Sequence, residues 1–422
     1  MTDVADTPLA AALPGLMACV HCGFCLSSCP TYLALGDEND SPRGRIVLMR
    51  AAIDGTLSLD DSSLSTHLDR CLGCRACETA CPSGVPFGAA LEAARSTLLA
   101  ARSAERRAPS AETGLLWLVA HLAVFRPLLL AARLLRSTGL PRLLARVSFP
   151  FAMLAASAPA LRTRAYAPRG TGARGHIAIL RGCVMEGLFA HVHRATERTL
   201  VANDFALVDA SGQGCCGALH AHAGHDEQAR AMARALIEAF ERSGADLVAV
   251  NAAGCGAMMK EYGRLLGGDI AWRDRAAACS ARVRDVSELL AAAGPRLGGA
   301  VPRRVTYDAP CHLLHAQRLS APPLAVLAAI PELELVPLTE AEQCCGSAGI
   351  YNLEQPAIAA AVLAPKLAHV AATRAELVAT GNPGCQMQIG AGLLRAGVAA
   401  RVLHPVELLD ASYAAAPPSP VR

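Results

Sequence analysis

The chain of 422 residues predicts an α+β multidomain protein: an all-helical N-terminal domain followed by two duplicated α/β modules, each on a parallel sheet. Three observations predict it. Two cysteine runs of identical spacing stand within residues 1–100, joined by a stretch with helix-start signals. Past residue 175 a different cysteine pattern occurs twice. In both copies short β-branched runs alternate with helical stretches, the pattern of a parallel sheet with crossover helices. Apolar residues make up 53% and charged residues 18%, enough for buried cores, and the net charge of +3 is too small to argue for a nucleic-acid partner.

The N-terminal domain, residues 1–100, opens with MTDVADTPL, which has acids and no basic region ahead of an apolar run, so no signal peptide is expected. Its cysteines are then expected in a reducing compartment, where metal binding is a more natural use than disulfides. Cys19, Cys22, Cys25 and Cys29 are followed by Pro30; Cys71, Cys74, Cys77 and Cys81 are followed by Pro82. The run C-x2-C-x2-C-x3-C-P is that of bacterial two-cluster ferredoxins, in which the fourth cysteine serves the other cluster. Zinc sites pair C-x2–4-C with a distant second pair and carry no proline rule. The spacing therefore predicts two 4Fe–4S clusters, one on Cys19, Cys22, Cys25 and Cys81, the other on Cys71, Cys74, Cys77 and Cys29. Between the runs, IVLMRAAI follows Ser41, Pro42 and Gly44, and DDSSLSTHLDRCL offers Asp and Ser caps for a second helix. His21 lies inside the first run but outside its pattern and reads as a solvent-side histidine.

Residues 101–175 form a connector with twelve arginines against Glu105 and Glu112, a charge of +10, which leaves −7 for the rest of the chain. Its segment LLWLVAHLAVFRPLLLAARLLR has apolar residues at helical spacing with arginines toward one end. Two readings stand: a docking helix for an anionic membrane surface or acidic partner, or an amphipathic helix packed on its own domain. Apolar stretches here and at 7–36 are interrupted by charge, proline or the cysteine run, and no membrane-spanning segment is expected.

The duplication is marked by three landmarks at nearly constant offset. Cys183 recurs as Cys311, 128 residues on; Cys215-Cys216-Gly217 as Cys344-Cys345-Gly346, 129 on; Cys255 as Cys385, 130 on. VRDVSELL and VLHPVELL echo one another at the ends of the copies. The modules are assigned to 176–300 and 301–412, with 413–422 a disordered tail. Cysteines following parallel strands gather at one edge of a sheet, so Cys183, Cys215, Cys216 and Cys255 form one candidate metal site and Cys311, Cys344, Cys345 and Cys385 another. Buried structural thiols are the rival reading. A bond between adjacent cysteines is disfavoured, because consecutive Cα atoms lie about 3.8 Å apart and disulfides want roughly 4.4–6.8 Å. Cys279, in an insertion of the first copy, reads as a plain free thiol. GTGARG at 170–175 precedes a strand, which removes the dinucleotide-loop reading. His220, His222, His312 and His315 lie near these cysteines, where they would tune a metal centre or be solvated. No residue pattern for acid–base or nucleophilic catalysis stands out.

Taken together, ACVHCGFC, CPTY, SPRGRI, HLDRCLGCRACETACPSGV, GCCGA, GCGAMMKEYG, CCGSAG and GCQ resemble the iron–sulfur subunits of bacterial glycolate oxidase, from about residue 15 to about residue 410. The doubled CCG modules place that resemblance in a wider group with heterodisulfide reductase subunits, lactate-utilisation proteins and a subunit of anaerobic glycerol-3-phosphate dehydrogenase. The resemblance implies an electron-transfer subunit that oxidises no substrate itself. It would receive electrons from FAD-carrying partner subunits that turn glycolate into glyoxylate, and pass them to a downstream acceptor, expected to be the quinone pool. Related D-lactate or glycerol-3-phosphate dehydrogenases are the alternative within the group; an iron–sulfur sensor or scaffold is the alternative outside it. The expected location is cytoplasmic, peripheral on the cytoplasmic face of the inner membrane if the connector docks there. One departure is visible: Met258 and Gln388 stand where heterodisulfide reductase relatives end the module in a further cysteine.

Overall fold

The computed structural model describes residues 4–103, 111–161 and 163–416. The chain divides into two compact units. The first comprises Met1–Trp117 together with Gly217–Ala231 and Glu342–Pro365; the second comprises Leu118–Cys216, Met232–Ala341 and Lys366–Arg422. The boundaries read from the sequence assigned each duplicated module to one continuous segment. The compact units are divided differently: Gly217–Ala231, directly after the first Cys-Cys pair, and Glu342–Pro365, which contains the second pair, belong to the first unit.

The first unit contains no strand among its described residues. Ser41 starts the helix Pro42–Ile53: its hydroxyl accepts from Gly44 N–H at 3.0 Å, and Pro42 occupies the first turn, where no donor is needed. Asp61 caps Ser62–Asp69 by accepting from Ser63 N–H at 2.8 Å. Ile46, Met49, Leu64 and Leu68 of these helices bury against Leu91 and Leu98 of Phe87–Ser103 and against Leu9 and Leu16. The inserted segments are fixed by hydrogen bonds. Arg95 donates to the His222 carbonyl at 2.9 Å, Glu92 pairs with His222 Nδ1 at 3.0 Å, and the Tyr351 hydroxyl donates to the Arg70 carbonyl at 2.8 Å.

The second unit holds two four-stranded parallel sheets of one topology. In the first, β1 (His176–Ile179), β2 (Ala206–Leu207), β3 (Leu247–Val250) and β4 (Val283–Asp285) lie in the order β2-β1-β3-β4. In the second, β5 (Arg304–Tyr307), β6 (Glu334–Val336), β7 (Leu377–Ala379) and β8 (Arg401–Leu403) lie in the order β6-β5-β7-β8. Register repeats too: Ile177 pairs with Leu247 as Val305 pairs with Leu377. The central strands are buried on both faces, which explains their near-continuous apolar sequences. Three strands per copy are legible as β-branched runs; the fourth, β4 (VRD) or β8 (RVL), lies at the start of the echoing segments, each leading into a helix that opens on a capping box at Asp285 or His404. The last helix, Pro405–Ala415, extends into the stretch assigned to a disordered tail, whose remaining part from 417 lies outside the described residues.

The connector also departs from the expected single helix. It breaks at His121 into Ala111–Ala120 and Leu122–Ser137, bent by 98°. Arg136 is no surface charge. It donates to the carbonyl and hydroxyl of Ser157, both at 2.7 Å, and to the Leu188 carbonyl at 3.2 Å, and its burial lowers its pKa. One described helix, Pro356–Thr373, is long and apolar enough to cross a membrane. It carries Lys366, buried against Asp308 at 2.9 Å, which is how a core helix, not a lipid-facing one, places a charge. Arg136→Met should lower stability by about 1–3 kcal/mol, because three acceptors lose their donor. Thermal melting checks this; an unchanged melting temperature at every salt concentration would return Arg136 to the solvent-exposed face.

Candidate metal centres

The two cysteine runs share a backbone conformation that follows from their spacing. In the first, the residues flanking Cys22, His21 and Gly23, have φ of 54° and 83°; in the second, those flanking Cys74, Gly73 and Arg75, have φ of 62° and 63°. A left-handed residue on either side of the middle cysteine folds each run into a tight concave loop. His21 and Arg75 adopt it at a cost that glycine avoids. His21 is therefore better understood through its backbone: its carbonyl accepts from Arg43 at 3.5 Å.

The thiols are distributed between the loops. Cys19, Cys22, Cys25 and Cys81 line one open cavity, floored by Ile46, Val85 and Phe87, with Cys22 exposed at its mouth. Cys77 also reaches that wall. Cys29, Cys71, Cys74 and Cys77 are buried. Burial pushes the Cys77 thiol well up, and its neighbours Cys74, Cys71 and Cys29 push it further. Burial likewise raises Cys25, with Cys19 and Cys29 adding to it. Each run thus meets the fourth cysteine of the other. Four thiols so crowded oppose one another's ionisation, and a cationic iron centre offsets both that repulsion and the cost of burial. The all-thiol donor sets fit iron–sulfur clusters.

Sequence reasoning missed what lies behind Cys29. Arg45, the second arginine of SPRGRI, is 1% exposed, and its Nη1 lies 3.9 Å from Cys29 Sγ. It donates to the His67 carbonyl at 2.7 Å, to Thr31 Oγ1 at 3.1 Å and to Asp40 Oδ1 at 3.2 Å. Asp40 in turn meets His67 Nδ1 and Arg70 Nη1, each at 3.0 Å. The legible signal was an arginine beside Ile46, on the apolar face that Met49 and Ala52 continue.

In the second unit, Cys183 follows β1 and Cys255 enters the helix Ala253–Lys260 after β3, so adjacent parallel strands deliver both. Cys183 Sγ lies 3.8 Å from Cys215 Sγ. Hydrogen bonding with Cys215 and burial raise the Cys183 thiol well above its ordinary range; Cys216 is raised by hydrogen bonds to Cys215 and Cys255, then by burial. The structure brings these four together. Gln213 holds the approach, accepting from Arg181 N–H at 2.9 Å and donating to the Ile179 carbonyl at 3.0 Å, and Tyr262 donates to the Cys216 carbonyl at 2.9 Å. Met258 follows Cys255 by one turn and is buried.

The other quartet is split between the units. In the second unit, Cys311 follows β5 and Cys385 enters Pro383–Ala396 after the neighbouring β7, with Asn382 Nδ2 donating to Cys385 Sγ at 3.5 Å and Gln388 buried one turn on. In the first unit, Cys344 and Cys345 are buried, and Gly346 N–H donates to Cys344 Sγ at 3.4 Å. Gly346 requires glycine: its φ is 81°, and a Cβ there would stand 2.6 Å from the Ala359 carbonyl oxygen. Gly217 has φ 83° in the first copy. His220 and His315 are buried, not solvated. Cys279 is buried in Arg273–Arg282, and burial pushes its thiol up to about 11, the behaviour of an inert free thiol.

These thiol sets define an iron–sulfur electron-transfer protein. Residues 15–85 match the 4Fe-4S dicluster domain, and residues 177–260 and 305–390 each match the cysteine-rich domain CCG. The chain is similar to the probable glycolate oxidase iron-sulfur subunit of Bacillus subtilis (strain 168), 35% identical over 93% of both chains. It is equally similar to the glycolate oxidase iron-sulfur subunit of Escherichia coli (strain K12), 35% identical over 89% of both. Lactate utilization protein A of Geobacillus thermodenitrificans is 29% identical over 54% of this chain and 95% of its own length. The chain belongs to the family of glycolate oxidase iron–sulfur subunits. Anaerobically purified protein should bind about eight irons at the two runs. Cys22→Ser and Cys81→Ser should each damage the same cluster signal by electron paramagnetic resonance and leave the other intact; a Cys81→Ser protein that keeps the Cys22 signal contradicts the crossing.

Proposed function

We propose that this chain is the electron-transfer subunit of a glycolate-oxidising complex, taking electrons from flavin-carrying partner subunits and passing them to a downstream acceptor, the quinone pool. The observation that carries the reading is the crossed arrangement of eight thiols in a chain that aligns with glycolate oxidase iron–sulfur subunits over nine-tenths of its length. Cys19, Cys22, Cys25 and Cys81 would hold one cluster, and Cys29, Cys71, Cys74 and Cys77 the other. A 4Fe–4S cluster supplies a one-electron couple that needs no proton transfer. The chain's own residues bury the second set, leave Cys22 at an open cavity mouth, and fix both loops by their left-handed turns. Cys183, Cys215, Cys216 and Cys255 are a further metal-binding set. Coverage favours glycolate over lactate, since the lactate-utilisation relative matches little more than half of the chain. The purified chain alone should show no glycolate-dependent dye reduction, and adding the flavin subunits should restore it; turnover by the chain alone refutes the assignment.

The connector supports peripheral contact with an anionic lipid surface. Leu128, Leu130, Leu134, Leu143 and Val147 are all at least half exposed, and Arg126, Arg142 and Arg146 stand exposed among them. Apolar side chains that enter the interface and arginines that meet lipid headgroups suit such a surface. Co-sedimentation with phosphatidylglycerol vesicles should exceed that with phosphatidylcholine vesicles, and should fall at high salt because exposed charges are screened beyond about 8 Å at physiological ionic strength. Arg142→Glu/Arg146→Glu should abolish the difference; equal binding to both vesicles would leave the connector as a packed helix pair.

A further inference from the structure

We propose that Arg45 is the fixed charge that sets the reduction potential of the cluster on Cys29, Cys71, Cys74 and Cys77, with Asp40 holding its guanidinium in place and trimming its effect. This rests on the assignment of those four thiols to a cluster. Reduction adds one electron and no proton, so the site gains a negative charge while no bond forms or breaks; the electron comes from the reduced flavin of the partner in the complex, or from dithionite in a titration. Burial alone makes that gain unfavourable, because a low-dielectric surrounding disfavours added charge. The four thiols are buried, whereas the other set opens to solvent at Cys22. Something must offset the difference if both sets are to take electrons from one donor.

Arg45 is placed to do so. It is 1% exposed, its Nη1 is 3.9 Å from Cys29 Sγ, and its other donors are committed to Thr31, the His67 carbonyl and Asp40. An arginine remains charged at any working pH. Asp40 is shared between Arg45 and Arg70, at 3.2 and 3.0 Å, and Asp37 stands within 4.8 Å of it on the side of His67, so Arg45 is the charge of this network that reaches the thiol. At the first set the corresponding cation is Arg43, which is a third exposed and cancelled by Glu38 at 2.6 Å. A buried cation acts on its neighbour much more strongly than one paired at the surface, where water and salt screen it. Charge and hydrogen bonding near the sulfurs are the levers a protein has on cluster potential.

Redox titration of the full chain, followed by electron paramagnetic resonance at one fixed pH, tests this. The second cluster is the signal lost in Cys74→Ser and kept in Cys22→Ser. Arg45→Gln should cut its reduced-to-oxidised ratio at the wild-type midpoint at least tenfold, about 59 mV downward for a one-electron couple. Arg45→Lys, which keeps the charge, should lie between that value and wild type. Asp40→Asn should move it the other way, upward, and the first cluster should keep its wild-type potential in all three. A merely structural role predicts loss of iron without opposite shifts. If Arg45→Gln does not hold the second cluster, Asp40→Asn alone decides, and an unmoved or lowered potential there overturns the proposal. So does an equal shift of both clusters. A Cys74→Ser protein with both wild-type signals intact would instead sink the thiol assignment, and this proposal with it.

Discussion

Everything in the first unit depends on an exchange of thiols between two loops that lie some fifty residues apart in sequence. Cys29 leaves its own run to join Cys71, Cys74 and Cys77 in the interior, and Cys81 crosses the other way to the cavity of Cys19, Cys22 and Cys25. On the proposed assignment, neither cluster can be completed by one loop alone. The helices Pro42–Ile53 and Ser62–Asp69 that link them are therefore constrained at both ends, and their buried face must serve two purposes. It supplies Ile46 and Met49 to the core, and it also carries Arg45 to the back of Cys29. An apolar residue at 45 would leave Asp40 buried without the cation that is buried with it, which is the expensive way to break such a network.

The second unit solves a related problem with different means. Parallel strands finish on one edge, so the residues after β1 and β3 are neighbours whatever separates them in sequence, and Cys183 and Cys255 come together by topology alone. The Cys-Cys pair has to be brought in by a loop, since β2 stops at Leu207, well before Cys215. That loop is stiffened by Gln213, which bridges Arg181 N–H and the Ile179 carbonyl as a side-chain substitute for a strand ladder. The same topology appears with β5 to β8, and the repeat offset of the sequence is conserved in strand register.

Much of this was legible in the sequence because spacing encodes it. Cysteine intervals fix which thiols can share a loop, and the constant offset between copies fixes the duplicated sheet. The helical character of the first unit was legible in Ser41, Pro42 and Asp61. What escaped was set by tertiary contact. VRD and RVL are too short to read as strands and become β4 and β8 only by pairing with β3 and β7. The bend at His121 has no glycine or proline to announce it, and Arg136 reads as a surface charge until Ser157 and Leu188 are seen around it. Left-handed backbone at His21 and Arg75 is equally hidden, since positive φ is uncommon outside glycine; only the comparison of the two loops exposes it. Arg45 was hidden by a reasonable prior, that arginine in an amphipathic helix faces water.

The membership of Gly217–Ala231 and Glu342–Pro365 in the first unit has a consequence for how the protein is made. A ribosome releases the two cysteine runs early, but the segment that meets Arg95 follows only after Cys215-Cys216, and the one that meets Arg70 only after Cys344-Cys345. During that interval the nascent loops carry their thiols without Tyr351 or the His222 carbonyl beside them. The core of Leu9, Leu16, Met49, Leu64 and Leu98 draws on neither late segment, so what later translation adds is the cover over Arg95 and Arg70. A chain stopped before Tyr351 keeps that core and leaves the Arg70 carbonyl without its hydroxyl donor.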